Sequence, residues 1–410
     1  MTTSLKIDEF KKELKDLILN NRRLQENRVV PIAIGARGHS GIGKTSAILQ
    51  VALDKEVGID PNNVVRINLA EVEELGDLVG IPLKEFEVCK DGGDCQWINE
   101  HLIESFIKGG YTFTGGKRMS YAEPSKVQGK GENGILILDD YTRADPRFLN
   151  ACMTLIETQS YYSWKLPKGW TIVLSTNPDD GNYQVSSLDS AQASRFVSYD
   201  IIFAKEPWAK WAEEQSIDGR FINFVLLNPE LLEGTGTKDD KKQANKAINP
   251  RAAVMFSHLI SGIKDWSTSE GLETIQRRGE ASVGPEFAQQ FVMFINNQLD
   301  KLPSPEYMLN NKWEDVKSEI RSVVGVTGGS KPYRADIASV LALRIINYSV
   351  NYAETNTIEK KLTDRLVELV TEDIFVGDLN YAIVREIFNG NKQKFKQLTL
   401  TKKVADMIMS

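Results

Sequence analysis

The sequence predicts an α/β fold in which helices sandwich a parallel β-sheet, followed by a region built of helices. Three observations carry this prediction. An apolar run at residues 29–35 leads into a glycine-rich loop and then a helix-like stretch from Lys44. Two further apolar runs, at residues 135–138 and 172–174, each end in polar residues. Short, nearly continuous apolar runs are typical of parallel strands that are buried on both faces, and the residues beyond 207 show helical spacing instead.

The loop after the first predicted strand has the complete pattern G-x-x-x-x-G-K-T. Its glycines are expected to take positive φ, so that successive backbone N–H groups face one anion. The N-terminus of the following helix adds further N–H groups and a partial positive charge. A chance match in a solvated loop is the alternative, and the flanking strand and helix argue against it.

This loop therefore predicts that the chain binds a nucleoside triphosphate, taken to be ATP with Mg²⁺. Lys44 would reach the β and γ phosphates, and the Thr45 hydroxyl would hold the metal. The residues predicted to bind the nucleotide are Gly38, His39, Ser40, Gly41, Ile42, Gly43, Lys44, Thr45 and Ser46.

Polar residues at the ends of the other two predicted strands are candidates for the rest of the site. Asp139 ends the apolar run 135–138 and is the predicted second Mg²⁺ ligand, while Asp140 is the candidate that polarises the attacking water. Asn177 follows the third strand and would lie at the same edge of the sheet. Its amide could hold the water or a phosphate oxygen, although an Asn before a Pro is equally a good turn former.

The order of these segments resembles the AAA+ ATPases, and within them the MoxR-like branch. Residues 139–145 stand where that branch has an Asp-Glu-x-x-Arg-Ala run, and residues 175–178 stand at its sensor-1 segment. Residues 188–196 resemble the segment that ends in the arginine finger, and residues 249–252 resemble the sensor-2 run. The resemblance covers about residues 28–265, and its wording is closest to uncharacterised ATPases of tailed phages.

The resemblance implies roles for two arginines and a partner subunit. Arg251 would touch the nucleotide of its own subunit, and Arg195 would complete the site of a neighbour, so the chain would act in a homo-oligomeric ring, a hexamer in this family. Negative charge builds on the transferred phosphoryl group, so cations placed there lower the barrier. The alternatives are a surface arginine at a helix end for Arg195, a residue of a helix start for Arg251, and a structural salt bridge for Arg143. Asp140 stands where the family usually has Glu, which predicts slow hydrolysis.

The pattern of segments, together with this resemblance, predicts four parts of the chain. Residues 1–27 form an N-terminal helix, residues 28–205 the AAA+ α/β core, residues 206–300 an α-helical lid, and residues 304–410 a C-terminal helical domain. A long excursion at about 70–133 exceeds what a compact core needs. Within it, residues 112–121 are interpreted as a loop, in which Phe113, Tyr121, Lys117 and Arg118 either contact a substrate or are simply solvated.

Composition limits the other classes. No apolar run approaches the 18 residues that cross a bilayer, so no membrane insertion is expected. Cys89 and Cys95 have poor zinc spacing and are expected to be an inert reduced pair, from which we infer a cytoplasmic setting. The formal net charge of −6 argues against broad coating of nucleic acid.

Three functions remain open on this basis. The leading hypothesis is a MoxR-like ring ATPase that hydrolyses ATP to remodel or load a client protein, with a von Willebrand A domain partner as the resemblance implies. The second is a nucleic-acid motor or loader of the helicase or clamp-loader kind, which would require stimulation by DNA or RNA. The third is a slow, nucleotide-gated scaffold.

Overall fold

The computed structural model describes residues 3–90, 92–179, 188–232, 248–297, 299–326, 332–372, 374–376 and 378–409. It divides into two compact units, Met1–Ile202 and Phe203–Ser410. The strands, in chain order, are β1 (Thr3–Lys6), β2 (Ala33–Arg37), β3 (Val64–Asn68), β4 (Pro82–Lys90), β5 (Asp94–Asn99), β6 (Tyr111–Tyr121), β7 (Ile135–Asp139), β8 (Ser160–Tyr161), β9 (Trp164–Lys165), β10 (Thr171–Thr176) and β11 (Phe196–Ile202).

The helices of the first unit are α1 (Ile7–Glu26), α2 (Lys44–Ala52), α3 (Leu75–Val79), α4 (Ile103–Lys108), α5 (Pro146–Thr158) and α6 (Ser190–Ala193). Those of the second unit are α7 (Lys205–Glu214), α8 (Gly219–Leu227), α9 (Pro250–Ile260), α10 (Ser269–Ser282), α11 (Pro285–Asn296), α12 (Pro305–Asn310), α13 (Trp313–Val324), α14 (Ala335–Thr355), α15 (Lys360–Thr371), α16 (Asp378–Gly390), α17 (Lys396–Leu400) and α18 (Lys402–Met409).

The first unit is organised around a six-stranded parallel sheet with the order β1-β11-β2-β10-β7-β3. Strands β7 and β10 are buried at every position, as their apolar sequences predicted. Strand β10 lies between the strand that precedes the glycine loop and the strand that ends in the acids. The carboxyl ends of β2, β10 and β7 therefore meet side by side, with the segment after β10 in the middle.

Helices cover both faces of this sheet. On one face, α1 and α2 pack against it, with Phe10, Leu14 and Ile48 in the same core as Ile137. On the other face, α5 packs through Phe148 and Leu155 against residues such as Leu138 and Leu174 of the same sheet. The predicted sandwich of helices around a parallel sheet is confirmed.

The first strand was not predicted. Residues 3–6 pair in parallel with β11, with Thr3 opposite Tyr199, and form an edge of the sheet ahead of the predicted N-terminal helix. Four residues are too short to show a strand pattern of their own, and their position depends on a partner almost 200 residues away.

The excursion between β3 and β7 contains a three-stranded antiparallel sheet, in the order β5-β4-β6. The interpretation of residues 112–121 as a loop was wrong, because they belong to strand β6. Gly115 and Gly116 interrupt the strand pattern there, and the register shifts between Phe86 and Val88 of the neighbouring strand. Glycines inside a strand often mark such an irregularity.

The two cysteines of this sheet form a disulfide, so the expectation of a reduced pair was wrong. Cys89 of β4 lies directly opposite Cys95 of β5, with a Cα–Cα distance of 4.0 Å. Antiparallel pairing brings directly opposite side chains close enough to be joined, and the six-residue separation alone does not reveal the register.

The second unit is helical throughout its described elements, as its sequence pattern predicted. One core contains the aromatic rings of Phe221, Phe224, Phe256, Phe287 and Phe291, which contact one another edge-on or tilted. A second core is built mainly from α13 to α16. Within the described residues, no helix has the length and apolar character needed to cross a membrane.

Candidate functional site

The glycine-rich loop connects β2 to α2 and has the backbone that its sequence predicts at two of its three glycines. Gly41 and Gly43 have φ of +82° and +98°, which is the left-handed region that favours glycine. Gly38 does not take positive φ, so that part of the prediction was wrong. A Cβ at Gly38 would lie 2.6 Å from the backbone oxygen of Ile201, so glycine is needed there for close packing.

Lys44 begins helix α2 and is buried. Its Nζ donates to the backbone oxygens of Gly38 at 2.7 Å and His39 at 2.9 Å, and to Asn177 Oδ1 at 3.2 Å. The ammonium group is therefore held over the loop by acceptors that an anion bound in the loop could replace. Of the remaining predicted loop residues, Ile42 packs under the loop beside Gly38, whereas Ser46 is exposed on α2.

The two predicted magnesium ligands lie side by side. Thr45 Oγ1 is 3.0 Å from Asp139 Oδ1 and 3.2 Å from Asp139 Oδ2. A hydroxyl and a carboxylate are hard oxygen donors of the kind that Mg²⁺ prefers, and this ion is usually held by one or two protein groups together with substrate phosphates and water. The donor set fits a Mg²⁺ ion that would be shared between α2 and the end of β7.

Asp140 and Asn177 meet next to this pair. Asn177 Nδ2 donates to Asp140 Oδ1 at 3.0 Å, while its Oδ1 accepts from Lys44. These two hydrogen bonds link Lys44 of the glycine loop to Asp140 through Asn177, which directly follows β10. Asp140 has φ of +52°, a conformation that Asp and Asn adopt more readily than most residues. Arg143 Nη1 lies 3.8 Å from Asp140 Oδ2, which matches the structural salt bridge considered for this arginine.

One site residue was missed by sequence reasoning. Arg66 of β3 donates through Nε to Asp139 Oδ2 at 2.8 Å, and its Nη2 contacts the same oxygen. Strand β3 pairs with β7, with Arg66 opposite Ile137. An arginine within a short alternating strand carries no local signal of function, and only the pairing of β3 with β7 would have revealed it.

Arg195 follows the short helix α6 at the surface of the first unit. Its Nε donates to Glu157 Oε2 of α5 at 3.0 Å, and a second nitrogen contacts the backbone oxygen of Ala191. The structure does not bring it to the Lys44–Asp139 cluster through any contact within the described residues. Its side chain is partly exposed and oriented by Glu157.

Arg251 belongs to the second unit, where it follows Pro250 in the first turn of α9. The side chain of Asn249 caps this helix by accepting from the N–H of Ala252 at 3.0 Å. Arg251 is exposed within its unit. Residues 180–187, which lead to the Arg195 segment, and residues 233–247, which precede Arg251, lie outside the described residues.

Comparison with known proteins gives a likeness of fold only. No model of a known protein family matches the chain, and no curated protein does. Among solved structures, a mutant of RuvB from Thermotoga maritima has a TM-score of 0.36 and 12% identity, over 84% of this chain and 86% of that one. A DNA polymerase III gamma subunit-related protein from the same organism has a TM-score of 0.28 and 14% identity, over 94% and 99%.

A further solved structure, Hsp104 with ATPγS and FITC-casein, has a TM-score of 0.31 and 14% identity over 71% of this chain and 45% of that one. Scores and identities of this size carry no functional conclusion. The predicted fold class stands on the molecule itself: a phosphate-loop α/β unit with a parallel sheet sandwiched by helices, followed by a helical region.

Proposed function

We propose that this chain is an AAA+ ATPase of the MoxR-like type. It binds ATP with Mg²⁺ and hydrolyses it at the subunit interfaces of a homo-oligomeric ring, a hexamer, in order to remodel or load a client protein. The observation that carries the proposal is the convergence of Lys44, Thr45, Asp139, Asp140 and Asn177 at the carboxyl ends of three adjacent strands. Crevices at this edge of open α/β sheets are where ligands bind.

The proposed roles follow from the contacts. Lys44 would exchange the loop carbonyls for phosphate oxygens, and the N–H groups of the loop would complete the cradle. Bound Mg²⁺ would neutralise phosphate charge, held by Thr45 and Asp139. Asp140 would accept a proton from the attacking water, and Asn177 would orient Asp140 through the hydrogen bond that its side-chain Nδ2 already donates.

Arg195 is proposed to act on the neighbouring subunit. Its side chain is partly exposed and held by Glu157, so it is oriented without being enclosed by its own subunit. Arg251 is proposed to contact nucleotide of its own subunit from the helical lid, residues 206–300. Both assignments come from the resemblance of their segments to those of MoxR-like proteins, and their exposure is compatible with contacts to a ligand or another subunit.

The antiparallel sheet between β3 and β7 is proposed to face the client. Phe113 and Met119 of β6 are exposed, and Lys117 and Arg118 lie on the same strand. Exposed apolar side chains on this sheet are suited to contact a polypeptide. A partner with a von Willebrand A domain belongs to the same proposal.

The first test is nucleotide binding by Lys44→Ala. We expect the affinity for Mg·ATP to fall by about a hundredfold or more, because a buried, charge-bearing contact to the phosphates is lost. Isothermal titration calorimetry measures it, and Lys55→Ala, an exposed lysine just after α2, serves as the matched control. Unchanged affinity in Lys44→Ala would overturn the proposed site.

A further inference from the structure

We infer that Arg66 is a built-in counter-cation for Asp139 that competes with Mg²⁺ for this carboxylate, and so sets the Mg²⁺ concentration that nucleotide binding requires. The inference rests on the proposed function, because Asp139 is the proposed metal ligand. It adds a residue that the sequence motifs do not contain.

The geometry places Arg66 to act on Asp139 and on no other acid that the structure describes around it. Strand β3 is the edge of the parallel sheet, and Arg66 lies opposite Ile137, two positions before Asp139 on β7. Side chains two apart on a strand share a face, and diagonal neighbours are within reach of long side chains. The guanidinium thus approaches Asp139 Oδ2, while the Thr45 hydroxyl lies nearer to Oδ1.

Burial explains why Asp139 needs a cation. The Asp139 side chain is 6% exposed, and a buried carboxylate without a counter-charge is strongly destabilising. The hydroxyl of Thr45 and the N–H of Asp140 supply neutral donors. Arg66 supplies the positive charge, so the nucleotide-free protein is stable with its acid already paired.

The exposure of Arg66 explains why it can release Asp139 when a metal ion binds. Its side chain is 49% exposed, in contrast to Asp139. The guanidinium can therefore withdraw into water at little cost, whereas the carboxylate stays in place for a metal. A divalent cation at the same carboxylate would repel Arg66. The two effects are linked thermodynamically. If the Arg66–Asp139 contact weakens Mg²⁺ binding by some factor, bound Mg²⁺ weakens that contact by the same factor.

The direct test is the Mg²⁺ dependence of ATP binding in Arg66→Gln, measured by calorimetry at fixed ATP with Mg²⁺ varied. We expect half-maximal binding at about tenfold lower Mg²⁺ than in the wild-type protein, within the usual range of coupling between two ligands. Arg66→Lys, which keeps the charge, should remain closer to the wild type. An equal or higher Mg²⁺ requirement in Arg66→Gln would overturn the inference.

A second readout needs no hydrolysis. Without ligand, Arg66→Gln should melt at a lower temperature than the wild type, and the difference should shrink in saturating Mg·ATP, because the metal then pairs Asp139. Arg334→Gln is the control for loss of an equally exposed arginine, since Arg334 is 48% exposed but its partner Asp336 on the helical unit is itself 50% exposed, so this variant should lose little stability with or without Mg·ATP. An equal loss with and without Mg·ATP would mean that Arg66 is merely structural.

A double-mutant comparison separates this inference from the proposed function. In an Asp139→Asn background, Arg66→Gln should no longer lower the melting temperature of the ligand-free protein, because the charge that Arg66 balances is gone. If the wild type binds ATP with Mg²⁺ while Arg66→Gln behaves like it, the inference alone fails. If the wild type shows no Mg²⁺-dependent binding, the proposed function fails and this inference with it.

Discussion

At the scale of single residues, the backbone at position 140 favours the aspartate that stands there in place of the usual Glu. It lies at φ +52°, where a longer, unbranched acid is less favoured than Asp or Asn. Its short carboxylate reaches Asn177 directly. The aspartate is therefore compatible with this local backbone, and we expect hydrolysis by this protein to be slow because its carboxylate ends one methylene shorter than that of Glu.

Asp140→Asn is the sharpest change at this position. Asparagine tolerates the same backbone and keeps the size of the side chain, so we expect folding and ATP binding to persist. Turnover should fall by about a hundredfold or more, because an amide cannot accept the proton. A phosphate-release assay beside a binding titration measures both, and undiminished turnover would show that another group activates the water.

The residues of the site differ in how far the sequence could predict them. Lys44 and Thr45 could be predicted because strand, loop and helix follow one another within a few positions, and Asp139 because it ends a short apolar run of its own. Arg66 and the Cys89–Cys95 pair were not, since each depends on the register between strands, which no short segment records. The prediction of positive φ at Gly38 was wrong, because glycine is needed there for close packing against the backbone of Ile201 in β11.

At the scale of elements, the disulfide ties β4 to β5 in the inserted sheet. Closing so short a loop stabilises by roughly 2 kcal/mol in the chain-entropy estimate. Cys95 is exposed, so the bond is open to reductants.

We expect reduction, or Cys89→Ser, to speed amide exchange in residues 82–99, because the hairpin opens more often. Strands β7 and β10 should keep their protection, since they belong to a separate sheet. Hydrogen–deuterium exchange with mass spectrometry measures both regions. Unchanged exchange in the hairpin would show that the bond does not stabilise it, and a loss across the whole unit would show a wider role.

Between helices α7 and α14, Glu213 and Arg344 form a largely buried ion pair with an Nε–Oε1 distance of 3.2 Å. Burial raises the pKa of Glu213 to about 7, against the opposing pull of Arg344. In the unfolded state, Glu213 releases its proton near the ordinary pKa of 4.5. In the folded state it keeps this proton up to a pH of about 7.

It follows that Glu213 makes the protein less stable as pH rises from about 4.5 to 7, with no further change above 7. Over this window, the free energy of unfolding of the wild type should fall by about 3 kcal/mol relative to that of Glu213→Gln. Urea denaturation at several pH values measures the difference. Glu214→Gln, at the exposed neighbouring position, should show no such slope, and a slope shared by both variants would contradict the assignment.

At the scale of the whole molecule, the proposal requires more than one copy of the chain. Lys44 and Arg195 would serve different active sites, one in each of two neighbouring subunits. This division of labour can be tested by mixing inactive variants.

Lys44→Ala and Arg195→Ala should each be nearly inactive alone. The first lacks the lysine that binds the phosphates, and the second lacks an arginine finger, which raises kcat by about 10³- to 10⁵-fold. Arg195→Ala should still bind ATP. Mixed together, the two should recover part of the turnover, because the first supplies the arginine and the second an intact phosphate loop. Light scattering confirms assembly, and turnover by Arg195→Ala rings alone would reject the role in trans.

The close approach at Gly38 has a mechanical consequence. The backbone at the start of the phosphate loop touches that of Ile201, and the next residues of the chain enter the helical unit. Because the end of β11 packs so closely against Gly38, a shift of the loop requires a shift of this end of the strand. We therefore expect binding and release of nucleotide to displace the end of β11 at Ile201, so that Gly38 both allows the close packing there and couples the loop to that strand.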